Sequence, residues 1–129
     1  MTGPGGLPRG ARRYRGTAVV RAVRLTAPRV WRTGRGSELS AAAGDWLVSD
    51  GAEQWTVAAE VFARSYRALP DGRYVKDADV WAVRADRAGE VSTLEGPARN
   101  EAGDWVLRGV DGELWTVTDA YFRSHYEPA

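Results

Sequence analysis

Two aspartates hold equivalent positions in a repeated Gly-Asp-Trp element, Asp45 in the first copy and Asp104 in the second. Two carboxylates related by an internal symmetry are one arrangement that acid–base chemistry uses. An aspartate between a glycine and an apolar strand is also a common turn residue, because its carboxylate accepts hydrogen bonds from nearby backbone amides. The sequence favours the turn role, and we predict no catalytic carboxylate pair.

The single histidine, His125, directly follows Ser124. Neighbouring residues of a helical turn point apart, which argues against a nucleophile–base pair, and no third group of such a site is indicated. We therefore expect a surface or partly packed histidine. The chain has no cysteine, which excludes disulfides and thiolate metal sites, and one histidine does not favour a zinc site. We predict no catalytic residue, no metal and no cofactor.

Aromatic and arginine side chains are the candidates for partner contacts, and two of the tryptophans differ from their equivalents in the other copy. Trp31 aligns with Val91, and Trp81 aligns with Arg21. A position that accepts arginine in one copy faces solvent or an interface, so Trp81 is predicted to be an exposed recognition aromatic or a contact between the copies. The predicted partner-binding residues are Tyr14, Trp31, Arg35, Tyr74, Trp81 and Arg84.

The two halves of the chain differ in charge. Residues 1–69 carry 11 basic and 5 acidic side chains, whereas residues 70–129 carry 7 and 12. Arginines interleaved with Tyr14 and Trp31 could follow a nucleic-acid backbone and stack on bases. The difference also fits an electrostatic match between the halves, or simply solvated faces. The net charge is only +1, so nucleic-acid binding stays an alternative.

All these residues lie in two copies of one unit. The segment AGDWLVSDGAEQWTV starts at Ala43, and AGDWVLRGVDGELWTV starts at Ala102. We predict a flexible Gly/Pro-rich arm over residues 1–13, a first repeat over 14–69 and a second over 74–129. The shared signature is Gly44, Asp45, Trp46, Trp55, Phe62 and Tyr66 in the first repeat, and Gly103, Asp104, Trp105, Trp115, Phe122 and Tyr126 in the second.

Each repeat has the pattern of short strands with one helical turn before the last strand. Asp50-Gly51 and Asp111-Gly112 are strong hairpin signals, because glycine tolerates a positive φ. The recurring tryptophans have the spacing of core residues. We predict a mainly β protein of two tandem SH3-like small barrels related by internal pseudo-symmetry. One barrel or sandwich that shares strands from both copies is the alternative.

Four short motifs in the second repeat carry a family resemblance. They are TLEG at 93–96, Gly-Asp-Trp at 103–105, a Gly-x-x-Gly-Glu hairpin at 109–113 and Phe-x-x-x-Tyr-Glu at 122–127. In this order they resemble a group of small bacterial and phage proteins that includes the PGDYG-type domain. Tryptophan stands where that domain has tyrosine, and alanine stands where it has proline, which favours the wider group. The resemblance implies no particular reaction or ligand.

The absence of a long apolar run and of a secretory signal predicts a cytoplasmic protein, and its arginine, alanine and glycine content is typical of GC-rich bacteria such as actinobacteria. The leading hypothesis is a non-catalytic interaction module that binds a protein or peptide in a groove between the repeats. The alternatives are a small-molecule-binding or accessory protein or enzyme of a bacterial biosynthetic pathway, and nucleic-acid binding through the basic first repeat. The sequence predicts no oligomeric state.

Overall fold

The structure, a computed structural model, describes Leu7 and residues 10–129. About half of these residues lie in antiparallel strands, so the predicted mainly β class is confirmed. The elements are β1 (Arg12–Gly16), β2 (Val19–Arg24), β3 (Arg29–Arg32), β4 (Glu38–Ala41), β5 (Trp46–Ser49), β6 (Gln54–Val57), α1 (Ala59–Ser65), β7 (Tyr66–Ala68), β8 (Tyr74–Lys76), β9 (Asp79–Arg84), β10 (Gly89–Thr93), β11 (Gly96–Asn100), β12 (Trp105–Arg108), β13 (Leu114–Val117), α2 (Asp119–His125) and β14 (Tyr126–Pro128).

Both short helices directly precede the last strand of their repeat. The hydroxyl of Thr118 accepts a hydrogen bond from the amide of Tyr121 at 3.2 Å and so caps α2. The equivalent residue before α1 is Ala58, which offers no side-chain acceptor. At α1 the carboxylate of Asp45 instead accepts the amide of Ala59 at 3.0 Å, so a side-chain oxygen from outside the helix takes the place of the cap.

The described residues form four sheets, two of five strands and two of two strands. The five-stranded sheets have the orders β6-β5-β2-β8-β7 and β13-β12-β9-β1-β14, and the small sheets are β3-β4 and β10-β11. None of these sheets closes into a barrel. In the described part of the chain, no helix is long and apolar enough to cross a membrane.

The two repeats exchange one strand. β1 lies between β9 and β14 and so belongs to the sheet of the second repeat, with Tyr14 opposite Val80. β8 lies between β2 and β7 in the sheet of the first repeat, with Tyr74 opposite Val20. Equivalent strands therefore occupy equivalent places, but each is supplied by the other repeat.

The predicted boundaries 14–69 and 74–129 consequently do not coincide with the folded units. A turn over 69–73 joins β7 to β8 as a hairpin, so the chain continues into the first sheet instead of starting the second. We call β2–β8 the first unit, and β9–β14 completed by β1 the second unit.

The arm predicted over residues 1–13 is wrong for the part that the structure describes. Leu7 is completely buried and packs with Val91 and Val106, and Arg12 and Arg13 belong to β1. The reason is that β1 fills an interior position of a sheet and carries the preceding leucine onto the second unit. The other residues of the predicted arm, 1–6, 8 and 9, lie outside the described residues.

Each unit is held by a stack of three aromatic rings. In the second unit, Trp105 stacks on Phe122 with ring centres 3.9 Å apart, and Phe122 stacks on Tyr126. Tyr14 meets Phe122 edge-on at 4.9 Å, so a residue of the first repeat completes the core of the second unit. The first unit has the same arrangement, formed by Trp46, Phe62, Tyr66 and Tyr74.

Candidate functional site: the cleft between the units

The two units face each other across a cleft of about 420 Å³, which we call the inter-unit cleft. Its walls are the equivalent strands β6 and β13, which contribute Trp55 and Trp115, Thr56 and Thr116. Volumes of about 300–1,000 Å³ with mostly apolar walls are typical of ligand pockets. The cleft therefore has the size and the lining of a binding site.

A lysine among aromatic rings forms part of the lining of the inter-unit cleft. The ammonium of Lys76 lies 4.6 Å from the ring centre of Trp115 and 5.6 and 5.5 Å from those of Tyr66 and Tyr126. Burial raises the pKa of both tyrosine hydroxyls above the ordinary range, and the Lys76 charge opposes this only partly at Tyr66. The carboxylate of Glu113, which also lines the cleft, adds to the rise at Tyr126. Both phenols therefore stay neutral beside the ammonium.

Lys76 owes its position to the glycine that occupies the equivalent place in β1. A Cβ atom on Gly16 would come within 2.8–2.9 Å of three carbons of the Lys76 side chain. Carbon atoms of neighbouring side chains do not approach this closely, so the stem of Lys76 has room only because residue 16 has no side chain. The two equivalent positions touch each other between the units, and only one of them can carry a side chain.

An ion pair across the units lies at the exposed rim of the inter-unit cleft. Arg35, in the β3–β4 loop, donates from Nε and Nη2 to the two carboxylate oxygens of Asp104 at 3.1 and 2.7 Å. Asp104 is buried, while Arg35 remains more than one third exposed. This two-point contact holds a loop of the first unit against the second unit.

A polarised chain of hydrogen bonds also belongs to the lining of the cleft. The indole of Trp31 donates to the Thr56 hydroxyl at 2.8 Å, and this hydroxyl donates to Oε1 of Glu95 at 2.5 Å. Oε2 of Glu95 is buried and has no hydrogen-bond partner among the described residues. Burial raises the pKa of Glu95, the hydrogen bonds from Thr56 and Trp31 oppose the shift, and the charge of Asp45 adds to it.

The repeated aspartates serve their own turns. Asp45 accepts the amides of Ala42 at 2.8 Å and Ala59 at 3.0 Å, and Asp104 accepts the amide of Glu101 at 2.8 Å. Asp45 thereby also fixes the start of α1, where Ala58 gives no cap. The carboxylates are engaged with backbone and, in Asp104, with an arginine, which is the chemistry of a turn residue.

The expectation of a surface or partly packed histidine without a third group is wrong. His125 is buried, its Nε2 lies 2.8 Å from Oδ2 of Asp50, and its Nδ1 lies 2.7 Å from the Ser124 hydroxyl. The side chains meet because both turn towards the carbonyl of Tyr121, which is 2.8 Å from Nδ1 and 3.0 Å from Oγ. The carbonyl of Tyr121 thus engages both side chains within α2. The contact of His125 with Asp50 fastens α2 to the β5–β6 hairpin of the other unit.

The basic residues of β1 lie on the acidic second unit. Arg13 is 3.5 Å from Asp79, and Arg15 is 3.8 Å from Glu127, in pairs that are exposed to solvent. Arg13 and Arg15 are thus placed beside carboxylates. This arrangement weakens the case for a nucleic-acid surface, which needs uncompensated positive charge.

The structure brings only two of the six predicted partner-binding residues to the inter-unit cleft, Trp31 and Arg35. Trp81 is half-buried and packs in the cluster of Leu7, and Arg84 donates to the carbonyl of Gly103 at 3.2 Å. The remaining two, Tyr14 and Tyr74, lie in the cores.

Sequence reasoning missed three polar residues of the cleft as binding candidates, Thr56, Lys76 and Glu95. Two of them follow a signal that is present in the sequence, namely a change of charge between equivalent positions. Arg35 aligns with Glu95, and Gly16 aligns with Lys76. Such a change is expected where equivalent residues meet across a symmetric interface.

In the described part of the chain, no group of three or more histidine, aspartate or glutamate side chains is placed to hold a metal ion.

Comparison with known proteins finds no matching family model, no matching curated protein and no matching solved structure. The resemblance of the second repeat to the PGDYG-type group therefore stays a prediction.

Proposed function

We propose that this protein is a non-catalytic binding module that takes an extended peptide segment of a partner protein into the inter-unit cleft. The observation that carries the proposal is an open sheet edge along the cleft. β6 is the last strand of its sheet, pairs only with β5 among the described residues, and lines the cleft with all four of its residues.

An open edge strand offers a row of backbone donors and acceptors to a further strand. Many peptide-binding proteins use this chemistry, in which main-chain hydrogen bonds give affinity and side-chain pockets give specificity. The opposite wall, β13, is flanked by the β10–β11 hairpin, so β6 is the more accessible edge. The half-buried rings of Trp55 and Trp115 would receive apolar side chains of the added strand.

The likeness of each unit to an SH3-like small barrel belongs to this proposal as well. A five-stranded antiparallel sheet, a two-stranded hairpin and a helical turn before the last strand support the likeness. A shared fold does not by itself imply a partner, so the argument for peptide binding rests on the cleft. The cytoplasmic location expected from the sequence is likewise part of the proposal.

The proposal is tested by selecting binders from random peptides of roughly ten residues in two display formats. In one format the peptide ends in a free C-terminus, and in the other it is flanked on both sides. Gly34 lines the cleft, and a Cβ atom added to it meets no atom within 4 Å, so Gly34→Trp introduces a bulky side chain at the cleft lining. The matched control is Ala52→Trp, which adds the same ring to an exposed hairpin outside the cleft lining.

We expect the selected peptides to bind the wild type, and Gly34→Trp to weaken binding by at least about tenfold, measured by calorimetry. Ala52→Trp should leave the affinity within about twofold, because it does not touch the cleft. The amides of β6 should exchange more slowly with solvent in the complex. Binders that respond equally to both variants, or an absence of binders in both formats, would contradict the proposal.

A small-molecule ligand is the second candidate, and the volume of the inter-unit cleft is the observation that favours it. About 420 Å³ accommodates a compact organic molecule, and Glu95, Lys76 and the Arg35–Asp104 pair would supply the few polar contacts that such sites have. A metabolite panel screened by thermal shift separates the candidates. A stabilising compound whose effect is lost in Gly34→Trp would support this reading over the peptide.

A further inference from the structure

Lys76 is the single lysine of the chain, and its ammonium has no carboxylate partner within the part of the chain that the structure describes. Among the described residues it forms no ion pair, and its ammonium forms no hydrogen bond, since its close neighbours are the ring faces of Trp115, Tyr66 and Tyr126. All three rings line the inter-unit cleft together with the lysine. The Lys76 ammonium therefore belongs to the proposed peptide-binding cleft.

Ring faces compensate a cation only in part. They offer a weak electrostatic attraction and no hydrogen-bond acceptor of the strength of an oxygen atom. The ammonium has three donors, and Lys76 is half-buried, so its remaining hydration has to come from the cleft. An oxyanion that enters the cleft replaces this water with a charged partner at reduced dielectric, where the attraction is stronger than in bulk solvent.

The lysine is also held in place before any ligand arrives. Its stem lies against Gly16 in the neighbouring unit, and its head lies among three rings of both units. A pre-positioned cation loses little conformational freedom on binding. Other charged side chains line the cleft as well. Arg32 and Arg35 are paired with Glu38 and Asp104, and Arg99 is exposed to solvent. The carboxylates of Glu53, Glu95 and Glu113 would repel an anion, so Lys76 is the cation of the lining that is held among ring faces.

We infer that the bound peptide is a C-terminal segment, and that its terminal carboxylate pairs with Lys76 while its last apolar side chain packs between Trp55 and Trp115. The inference rests on the proposed function and names the partner's chemistry. Lys76 lines the same cleft as β6, and a terminal carboxylate would give its ammonium the charged partner that the rings of Trp115, Tyr66 and Tyr126 do not provide.

The experiment compares each peptide selected with a free C-terminus as the free acid and as the C-terminal amide. Wild-type protein should bind the acid at least about tenfold more tightly than the amide, and Lys76→Met should reduce this ratio to about two or less. Lys76→Arg should keep part of the preference. Arg87→Met is the control, since it removes one positive charge from a side chain that is 88% exposed and outside the cleft.

The acid-to-amide ratio separates recognition from a structural role of the lysine. If Lys76 only stabilised the fold, Lys76→Met would weaken acid and amide equally and leave the ratio unchanged. An independent readout is acylation of Lys76 by an amine-reactive ester, quantified by mass spectrometry at this one lysine. The free-acid peptide should slow the labelling, and the amide should slow it less.

The outcomes distinguish this inference from the proposed function. Binders that come only from the format flanked on both sides, or acids and amides of equal affinity, would overturn the role of Lys76 and leave peptide binding intact. Failure of both formats would refute the proposed function itself. Phenylacetate that binds the cleft as tightly as the free-acid peptides would show that a small carboxylate, not a chain terminus, is the occupant.

Discussion

The two units of this molecule reach the same packing through different connectivity. The first unit is continuous from β2 to β8, whereas the second consists of β9–β14 and accepts β1 from the other end of the chain. In both, a tyrosine of the inserted strand, Tyr74 or Tyr14, meets the aromatic stack edge-on. The two inserted strands therefore make the same side-chain contacts. The units differ in the part of the chain from which that strand comes.

The units also differ in where their sequences have diverged. Positions in the aromatic stacks are the same in both, while some positions where the units touch differ, as in Gly16 and Lys76 or Ser65 and His125. Across a symmetric interface a residue meets its own equivalent, so two long or two like-charged side chains cannot both be placed there. Fusion of two copies in one chain removes this restriction, because each side can then carry a different residue.

The strongest test of the difference in connectivity between the two units is the deletion of residues 1–16. The second unit then loses an interior strand and the buried Leu7, and we expect a loss of at least about 3–5 kcal/mol, which exceeds the margin of many small domains. The indole signals of Trp105 and Trp115 should collapse in nitrogen–proton spectra before that of Trp46. Addition of a peptide of residues 7–16 should restore them. A truncated chain with unchanged unfolding would contradict the assignment of β1.

The exchange of strands is examined residue by residue with Tyr14→Ala and Tyr74→Ala. Each change removes a half-buried ring from an aromatic core and should cost about 2–4 kcal/mol in urea unfolding. Tyr14→Ala should shift the indole signal of Trp105, and Tyr74→Ala that of Trp46, although the sequence repeat alone associates them the other way. The reverse pattern of shifts would show that each repeat keeps its own first strand.

The contact between the units is tested by making them more alike. Gly16→Lys puts a second lysine where Lys76 already lies, and overpacking together with like charge should cost about 1–3 kcal/mol. The double change Gly16→Lys with Lys76→Gly exchanges the two residues and should recover most of that loss, which a double-mutant cycle measures. Additive effects of the two changes would mean that positions 16 and 76 do not touch.

The smallest expected effects come from two ion pairs that join each hairpin to the helix of the other unit. Asp50 and His125 are both largely buried, so Asp50→Asn should cost about 1–3 kcal/mol at pH 7. Arg64 and Asp111 form the corresponding pair at 2.5 Å, but the arginine is mostly exposed, and Asp111→Asn should cost less than about 1 kcal/mol. Urea unfolding of both variants gives the two values, and equal losses would contradict the difference in burial.

The same pair predicts a pH dependence. Burial alone would raise the pKa of Asp50, but hydrogen bonds from the amides of Glu53 and Ala52 and the charge of His125 lower it. A lowered pKa in the folded state means that the unfolded chain binds this proton more readily, so the stabilisation is present above the unfolded pKa and is lost as the pH falls through the folded one. The stability of Asp50→Asn should therefore fall less between pH 6 and pH 2 than that of the wild type.

The sequence was sufficient for the local structure but not for the partners of each strand. Alternation in β2 and β9 predicts which side chains share a face, and Asp-Gly pairs predict hairpins, because both depend on residues close in the chain. The strands that pair with β1, by contrast, depend on which of two nearly identical sheets β1 joins. Tyr14 fits either core, so no pattern within the repeat could show that the turn at 69–73 sends β8 back to the first unit.

Only part of the candidate site was predicted, because some of its residues act through contacts between the two units. Trp31 was found because it differs from its equivalent, and Arg35 because it belongs to a run of arginines interleaved with aromatic residues. Trp81 also differs from its equivalent but packs on Leu7 instead. Lys76 and Glu95 act in the cleft through contacts with residues from the other unit. Such contacts arise only when the units are docked, which a single repeat does not encode.

The pairing of β1 with β14 has a mechanical consequence. The strands are antiparallel, with Tyr14 opposite Pro128 and Gly16 opposite Tyr126, and the amide of Ala129 donates to the carbonyl of Arg13. The outer ends of both strands therefore emerge on the same side of the ladder. A force that pulls residues 12 and 129 apart would load these hydrogen bonds one after another, as in unzipping, and not all at once in shear. The junction that completes the second unit is for this reason the place where a stretched molecule would open first.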